Sequence, residues 1–478
     1  MAGKEESNLG ITVKKADDFS EWYTQAVVKA GLADYTAVSG CIAIKPYGFA
    51  IWEKIRCIVD ERLKKLGVKN CYFPLFVPES LLSKEAEHIK GFKAEVAWVD
   101  YGGDTKLGER LAVRPTSEAI MYDSFSKWIR SWRELPLKLN QWNNVVRWEF
   151  RHPVLFLRTR EFLWNEGHTA FATKEEAEKE IGQIIAMYKD VCENYLALFG
   201  VVGRKTENEK FAGAEYTTSI EYLLPNGKGV QGPDAHHDGQ KFAKAYGIQF
   251  LDKDGKKSFV WQNTWAITTR MIGVMVAVHG DDKGLILPPE LAPIQVVIVP
   301  IFSEKDKDSV MKKVREVSSK LSKKFLLEVD DREYSPGWKF NEWELKGVPI
   351  RVEIGPKDVA KDQVVVVRRD NGKKSFIPSA DAAAEIEKAL GAIQQELFNR
   401  SKKFLEENTE AVADFAKLSA AIKSGKMAKC FLCGGEKCGA QIKEKTAATP
   451  RCIPSGSKSG KCVICGEEGP ETLFAKAY

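Results

Sequence analysis

Long apolar runs are missing from this 478-residue sequence. The longest nearly unbroken one, residues 271–278, falls far short of the roughly 20 residues a helix needs to cross a bilayer. No membrane partner is therefore expected. The opening Met1-Ala-Gly-Lys-Glu-Glu-Ser stretch has no apolar segment, so no secretory leader is expected and the chain reads as cytoplasmic. An excess of one charge is also missing. Lys and Arg total 72 against 66 Asp and Glu, a formal net charge of +6. That excludes a dense basic coat but leaves room for local patches that hold nucleic acid. Histidine is scarce, with six in all and none beyond His279. A metal site built from the last 200 residues would have to use cysteine.

With 44% hydrophobic and 29% charged residues, the chain reads as globular, and at roughly 150 residues per domain it suggests about three domains. No internal repeat is visible. Residues 1–16 are polar and read as a flexible lead-in. Residues 17–290 mix helical and strand patterns and carry ten of the twelve tryptophans. There Pro46 opens a helix with Ile51, Trp52, Ile55, Val59 and Leu63 on one face, closed by Gly67. Residues 71–77 read as a strand holding Pro74, which belongs at an edge or interface because proline cannot donate to a ladder. Leu287-Pro-Pro-Glu-Leu-Ala-Pro293 marks a boundary. From 291 to 400 strands near 295–301, 325–329, 348–354 and 363–368 alternate with helical faces, which predicts a compact α/β domain. A long helix is expected from about 380 to 407. Residues 401–478 end in a tail rich in Gly, Lys and Cys.

Two segments carry chemistry. From Asn143 to His168 the pattern is two strands joined by an arginine-rich loop. Residues two apart share a face of a strand, so Arg147 and Glu149 point together, as do Trp164, Glu166 and His168. A buried arginine needs an anion, and the same residues would also suit a salt-bridged hairpin on an ordinary sheet. The second segment runs from Gln262 to Gly280. Its Arg270 opens an apolar helix with Gly273 on the packing side. A helix N-terminus with an arginine makes an anion site, although this segment taken alone slightly favours an ordinary core helix with a solvated Arg270.

The order of these features, a long helix leading to the Pro74 strand, Arg147-x-Glu149 with Phe162, then a helix opening at Arg270, resembles motifs 1, 2 and 3 of the class II aminoacyl-tRNA synthetases. Arg114-Pro-Thr-Ser-Glu118, Phe162-Leu-Trp-Asn-Glu-Gly-His168, Gln231-Gly-Pro-Asp-Ala-His-His237 and Ser335-Pro-Gly-Trp-Lys-Phe340 look specifically like the prolyl-tRNA synthetase family. The resemblance covers nearly the whole chain from about residue 15. It implies an α+β catalytic domain with an antiparallel sheet and helices, an α/β anticodon-binding domain and a small zinc-binding domain. It also implies a homodimer joined partly through the Pro74 strand. The implied reaction joins L-proline to ATP, taken with Mg2+, as prolyl-adenylate, and then passes proline to the 3′ end of tRNA(Pro).

Such chemistry needs positioning and charge stabilisation rather than a protein nucleophile. By resemblance, Arg147 bridges the α-phosphate and the proline carboxylate, and Arg270 shares the catalytic role. Glu149, Arg158, Thr159, Phe162, Gln231 and Thr268 complete the ATP site, with Phe162 stacked on adenine. Thr116 and Glu118 receive the imino group of proline. Trp164, Glu166, His168, Phe211 and His236 form the rest of its pocket. Asp234 stands where some relatives carry Thr. Glu344 and Arg351 fall near base-reading positions of the anticodon domain, where a carboxylate and an arginine both suit guanine edges.

The tail holds Cys433-x4-Cys438 and Cys462-x2-Cys465, four thiolates for a closed structural zinc site. Cys430 and Cys452 are spare and could replace Cys433 or Cys438. In relatives the C-terminal tyrosine, here Tyr478, folds its carboxylate back toward the active site. Only 104 residues separate Glu166 from Arg270, leaving no room for the editing domain of bacterial-type relatives. That gap and the zinc tail place the resemblance in the archaeal/eukaryote-like branch. Without proofreading in cis, some misactivation of cysteine or alanine is expected. A threonyl-type enzyme is disfavoured because its zinc-binding Cys/His pattern is missing from the catalytic region. A non-enzymatic paralogue is disfavoured by the intact Arg147, Glu149, Phe162 and Arg270 set.

Overall fold

The computed structural model describes residues 10–88, 95–148 and 152–478. Its central feature is a twisted sheet of twelve strands among the described residues. The middle of this sheet is antiparallel: Val201–Arg204, Tyr216–Leu223, Lys228–Gly239, Trp261–Thr268, Glu161–Phe171 and Leu137–Val146 lie side by side in that order. One face packs on the helix Lys174–Asn194, whose Ile181, Ile184, Tyr188 and Val191 are buried. The other face is left open as the wall of a cavity.

The helix Pro46–Lys65 buries Ile51, Trp52, Ile55, Val59 and Leu63, as its periodicity predicts, and Gly67 takes the left-handed φ of 79° just past its end. The helix Arg270–His279 follows directly on the strand Trp261–Thr268. A side chain at Gly273 would meet the Tyr23 hydroxyl at 2.7 Å and Leu157 at 2.8 Å, so glycine lets this helix pack close and aims its first residue at the cavity.

The strand expected over 71–77 forms only at its flanks. Lys69–Asn70 pairs with Leu139 and Asn140 at the end of the large sheet. Phe76–Pro78 pairs in a separate three-stranded sheet with Thr105–Val113 and Trp98–Gly102. Between them Pro74 offers no N–H. The backbone is held instead by single bonds: Cys71 N–H to the Asn140 carbonyl, Phe73 N–H to the Gln141 side chain, and the Phe73 carbonyl to Arg114.

Residues 296–378 build a five-stranded mixed sheet, ordered Leu327–Val329, Val296–Pro300, Ile350–Ile354, Gln363–Arg368 and Lys374–Pro378. The helices Lys307–Leu321 and Ala382–Glu407 bury their apolar stripes on one side with Val310, Val314, Ile386 and Ile393. Trp343 of the helix Pro336–Leu345 packs against Val297 and Val299 on the other.

The last 70 residues fold back onto the large sheet rather than hanging from it. Thr409–Ala411, Met427–Phe431, Glu468–Ala477 and Ala448–Pro454 extend the large sheet, with Ile453 and Pro454 opposite Arg204 and Gly203. Glu468–Ala477 also reaches across to pair in parallel with Lys228 and Gly229. A buried ion cluster seals this joint. Glu221 accepts from Arg451 at 2.8 and 3.0 Å and from Lys205 and Ser219. Burial alone would raise the Glu221 pKa, but Lys205 and Arg451 bring it below the usual value.

Candidate active site

A cavity of about 460 Å³ opens on the free face of the antiparallel strands, within the range of sites that enclose a small-molecule ligand. Thirteen of the residues expected from sequence line it: Thr116, Glu118, Arg147, Thr159, Phe162, Trp164, Glu166, His168, Phe211, Gln231, His236, Thr268 and Arg270. Alternation on Glu161–Phe171 places Trp164, Glu166 and His168 on the same side, as the strand period requires. Asp234 also faces the cavity. Glu149 lies outside the described residues.

One half of the cavity is cationic. Arg147 leans over the Phe162 and Trp164 rings, 5.4 Å from each centroid, and its Nε donates to the Pro115 carbonyl at 3.1 Å. Arg270 donates to the Leu157 carbonyl at 3.1 Å and to the Gln231 carbonyl at 3.3 Å. Burial and then the nearby Arg147 push the Arg270 pKa below its ordinary value. Two guanidinium groups that disfavour each other in a concave site call for an anion between them. Arg158 does not line the cavity; its Nη1 reaches a Tyr478 oxygen at 3.5 Å. Tyr478 N–H donates to Gly229 at 3.3 Å, so the end of the sequence sits beside the arginines, as the resemblance implies.

The other half is acidic and closely bonded. Glu118 opens the helix Glu118–Trp128, and the Thr116 hydroxyl donates to it. Burial would raise the Glu166 pKa, but bonds from His168, Ser117 and Asn143 hold it down at about 2. His168 is the reciprocal case. Burial would lower its pKa, yet Glu166 at 3.1 Å and the nearby Glu118 raise it above the usual value. His236, whose Nδ1 lies 2.8 Å from the Thr217 hydroxyl, goes the other way: burial lowers it despite Asp234 and Glu118. The two histidines are thus biased in opposite directions, His168 toward its charged form beside Glu166 and His236 toward its neutral form on the wall. Phe211 stacks near His236 with centroids 4.9 Å apart. Gly167 is required between these residues, because a side chain there would strike the Trp265 ring at 2.2 Å. His237 and His279 have structural partners, Asn263 and the Leu196 carbonyl, each at 2.8 Å.

Sequence reasoning missed Ser117, Gln141 and Asn143, all bonded to Glu166. A signal was present for two of them. Gln141 and Asn143 are two apart on a strand whose register sets Gln141 opposite Glu166 and Asn143 opposite Trp164. Polar residues on the same side as the buried acid are its natural partners.

Two further clusters stand apart. Arg351 is buried over the Phe340 ring at 4.0 Å and bonds Glu344 at 3.2 Å and Glu353 at 2.9 Å. Arg351 and Glu344 line a small depression with Trp343, Arg368 and Arg369. In the tail, the sulfurs of Cys433, Cys438, Cys462 and Cys465 all lie within 4.8 Å of one another. A tetrahedral zinc ion with bonds of ~2.3 Å sets its sulfurs about 3.8 Å apart, so the set fits that ion. Cys430 and Cys452 are not members of the cluster; both are buried in apolar surroundings that push their thiols up to about 12.

An antiparallel sheet with this cationic cavity is the core of a class II aminoacyl-tRNA synthetase, and three family models agree. One described as the tRNA synthetase class II core domain (G, H, P, S and T) matches residues 98–279, an anticodon binding domain matches 295–389, and a prolyl-tRNA synthetase C-terminal domain matches 415–478. The proline--tRNA ligase of Natranaerobius thermophilus is 47% identical over the full length of both chains. That of Cenarchaeum symbiosum is 44% identical over 98% of this chain and all of its own. The bifunctional glutamate/proline--tRNA ligase of Mus musculus is 46% identical over 99% of this chain and 33% of its own. A crystal structure of prolyl-tRNA synthetase from Cryptosporidium parvum, complexed with halofuginone and AMPPNP, superposes with a TM-score of 0.93 at 42% identity, covering 98% of this chain and 100% of that one. The chain belongs to the prolyl-tRNA synthetase family, and its activity is that of a proline--tRNA ligase. Archaeal and eukaryotic relatives align over nearly all of it. Between Glu166 and Arg270 the chain forms only the helices and strands of the core itself.

Proposed function

We propose that both half-reactions run in the one cavity with the following division of labour. The observation that carries this reading is the pairing of a cationic half, Arg147 and Arg270, with a buried acidic half, Thr116 and Glu118, in one concave site. ATP, taken as its Mg2+ complex, enters the cationic half. Phe162 supplies a flat face for adenine, Gln231, Thr268 and Thr159 offer polar contacts, and Glu149 and Arg158 serve the phosphates from the loop. Proline enters the acidic half, its charged imino group on Glu118 and the Thr116 hydroxyl, its ring against Trp164, Phe211, His168 and His236. A carboxylate oxygen of proline then bonds the α-phosphorus and the bond to pyrophosphate breaks. Arg147, between the halves, stabilises the charge shared by carboxylate and phosphate. In the second step a hydroxyl of the terminal tRNA ribose bonds the prolyl carbonyl carbon and AMP leaves.

The three units divide near residues 290 and 400. Glu344 and Arg351 read anticodon bases with the edges their mutual bond leaves available. The four clustered cysteines hold a structural zinc ion; a closed four-thiolate set leaves no open position for substrate. Two copies of the chain associate through the edge that carries Pro74, where Tyr72 is 72% exposed. The setting is the cytoplasm.

Three outcomes are expected. Arg147→Ala lowers proline-dependent pyrophosphate exchange by about a hundredfold or more; exchange near the wild-type rate refutes the assignment. Arg351→Ala weakens tRNA charging while adenylate formation stays intact, and equal loss of both removes the anticodon role. Single Cys→Ser variants at 433, 438, 462 and 465 each lose stoichiometric zinc by elemental analysis, whereas full retention in all four contradicts the site.

A further inference from the structure

The acid at the bottom of the proline half is already fully occupied. Glu166 accepts from the Ser117 backbone at 3.1 Å and the Ser117 hydroxyl, from Gln141 at 3.1 Å, from Asn143 at 2.6 Å, and faces His168 at 3.1 Å. With both oxygens engaged, it fixes Ser117 rather than binding substrate itself. Ser117 lies between Thr116 and Glu118 at the N-cap position of the helix that begins at Glu118, with its hydroxyl turned to Glu166 instead of the helix. Where Ser117 sits, the imino-binding pair sits.

Gln141 is the member of this network that leads elsewhere. It is wholly buried. Its amide nitrogen donates to Glu166 Oε1 and to Ser117 Oγ, both at 3.1 Å, and its carbonyl accepts the Phe73 N–H. A backbone N–H only donates, so the amide has one orientation that satisfies all three. Phe73 belongs to the 71–75 stretch that no strand ladder holds. Its ring packs 5.7 Å from that of Trp128, which is 49% exposed. Arg114, two residues before Thr116, grips the Phe73 carbonyl at 2.9 Å, so the same stretch and the same loop are tied a second time. In the nucleotide half Arg270 hangs on different elements, bonded to Leu157 and Gln231, and Arg147 touches this loop only through the backbone carbonyl of Pro115.

We infer that Gln141 is a positioning residue through which the placement of the buried Phe73, beneath the half-exposed Trp128, sets proline affinity more than ATP affinity. This rests on the proline-binding reading above. A displacement of Phe73 withdraws the N–H from Gln141, which frees the amide to turn from Glu166 and Ser117 and loosens Thr116 and Glu118 together.

The test is steady-state pyrophosphate exchange with the full chain, varying proline and ATP separately. Gln141→Met keeps the size and removes the bonds. It raises KM for proline about tenfold, with kcat and KM for ATP within about twofold. Trp128→Ala, at the edge and outside the cavity, raises KM for proline about threefold. In the Gln141→Met background it adds nothing further, because the link is already cut. Equal effects of Trp128→Ala in both backgrounds, or a parallel rise in both KM values, overturn the inference. If Gln141→Met does not fold, Trp128→Ala alone decides: an unchanged KM for proline overturns it. Absence of proline-dependent exchange in the wild type would refute the underlying reading instead, so the two failures are distinguishable.

Discussion

Two guanidinium groups, Arg147 and Arg270, are held in one cavity, where burial and then the neighbouring Arg147 lower the pKa of Arg270. Burying like charges together is costly unless an anion joins them, and the surrounding structure serves to keep them there. The Pro115 carbonyl, just ahead of the helix Glu118–Trp128, fixes one. The close packing at Gly273 fixes the other through the start of a buried helix. The antiparallel strands supply a rigid floor, and the bonds spread across it leave little freedom for either arginine to swing away. Under the proposed reading, an incoming triphosphate meets charge already in place, which is how positioning alone lowers a barrier for phosphoryl chemistry.

The C-terminal unit takes part in this frame. Its strands continue the same sheet, Arg451 enters the interior to meet Glu221, and Glu468–Ala477 brings Tyr478 to Arg158. Glu221 stands opposite Gln231 in the ladder, and the Gln231 carbonyl accepts from Arg270. A module that from sequence looks like a zinc-bearing appendage thus braces the cationic half of the cavity from behind. The α/β domain is bound more locally, by Arg369 gripping Asp281 at 2.6 and 2.8 Å.

Most of the catalytic geometry was legible because its residues obey local periods. Trp164, Glu166 and His168 share a strand face. Arg270 follows from a helix that starts where an apolar run begins. The cysteine spacings pointed to the four sulfurs that now cluster. What escaped was non-local. The 71–77 run looks like a strand, yet Pro74 removes the donor a ladder needs, and side chains from Gln141 and Arg114 hold the backbone instead. Gln141 and Asn143 are ordinary polar residues until register sets them against Glu166 and Trp164. The merging of the tail into the central sheet left no mark either, because its edge contacts are made by backbone.

This one cavity should make an adenylate from proline and from no other amino acid at comparable efficiency. Pyrophosphate exchange measured for the purified chain with each amino acid in turn tests it directly. Proline should support exchange with the highest kcat/KM, with cysteine and alanine well below it and the others near background. Preference for another amino acid, or exchange with none, would contradict the account.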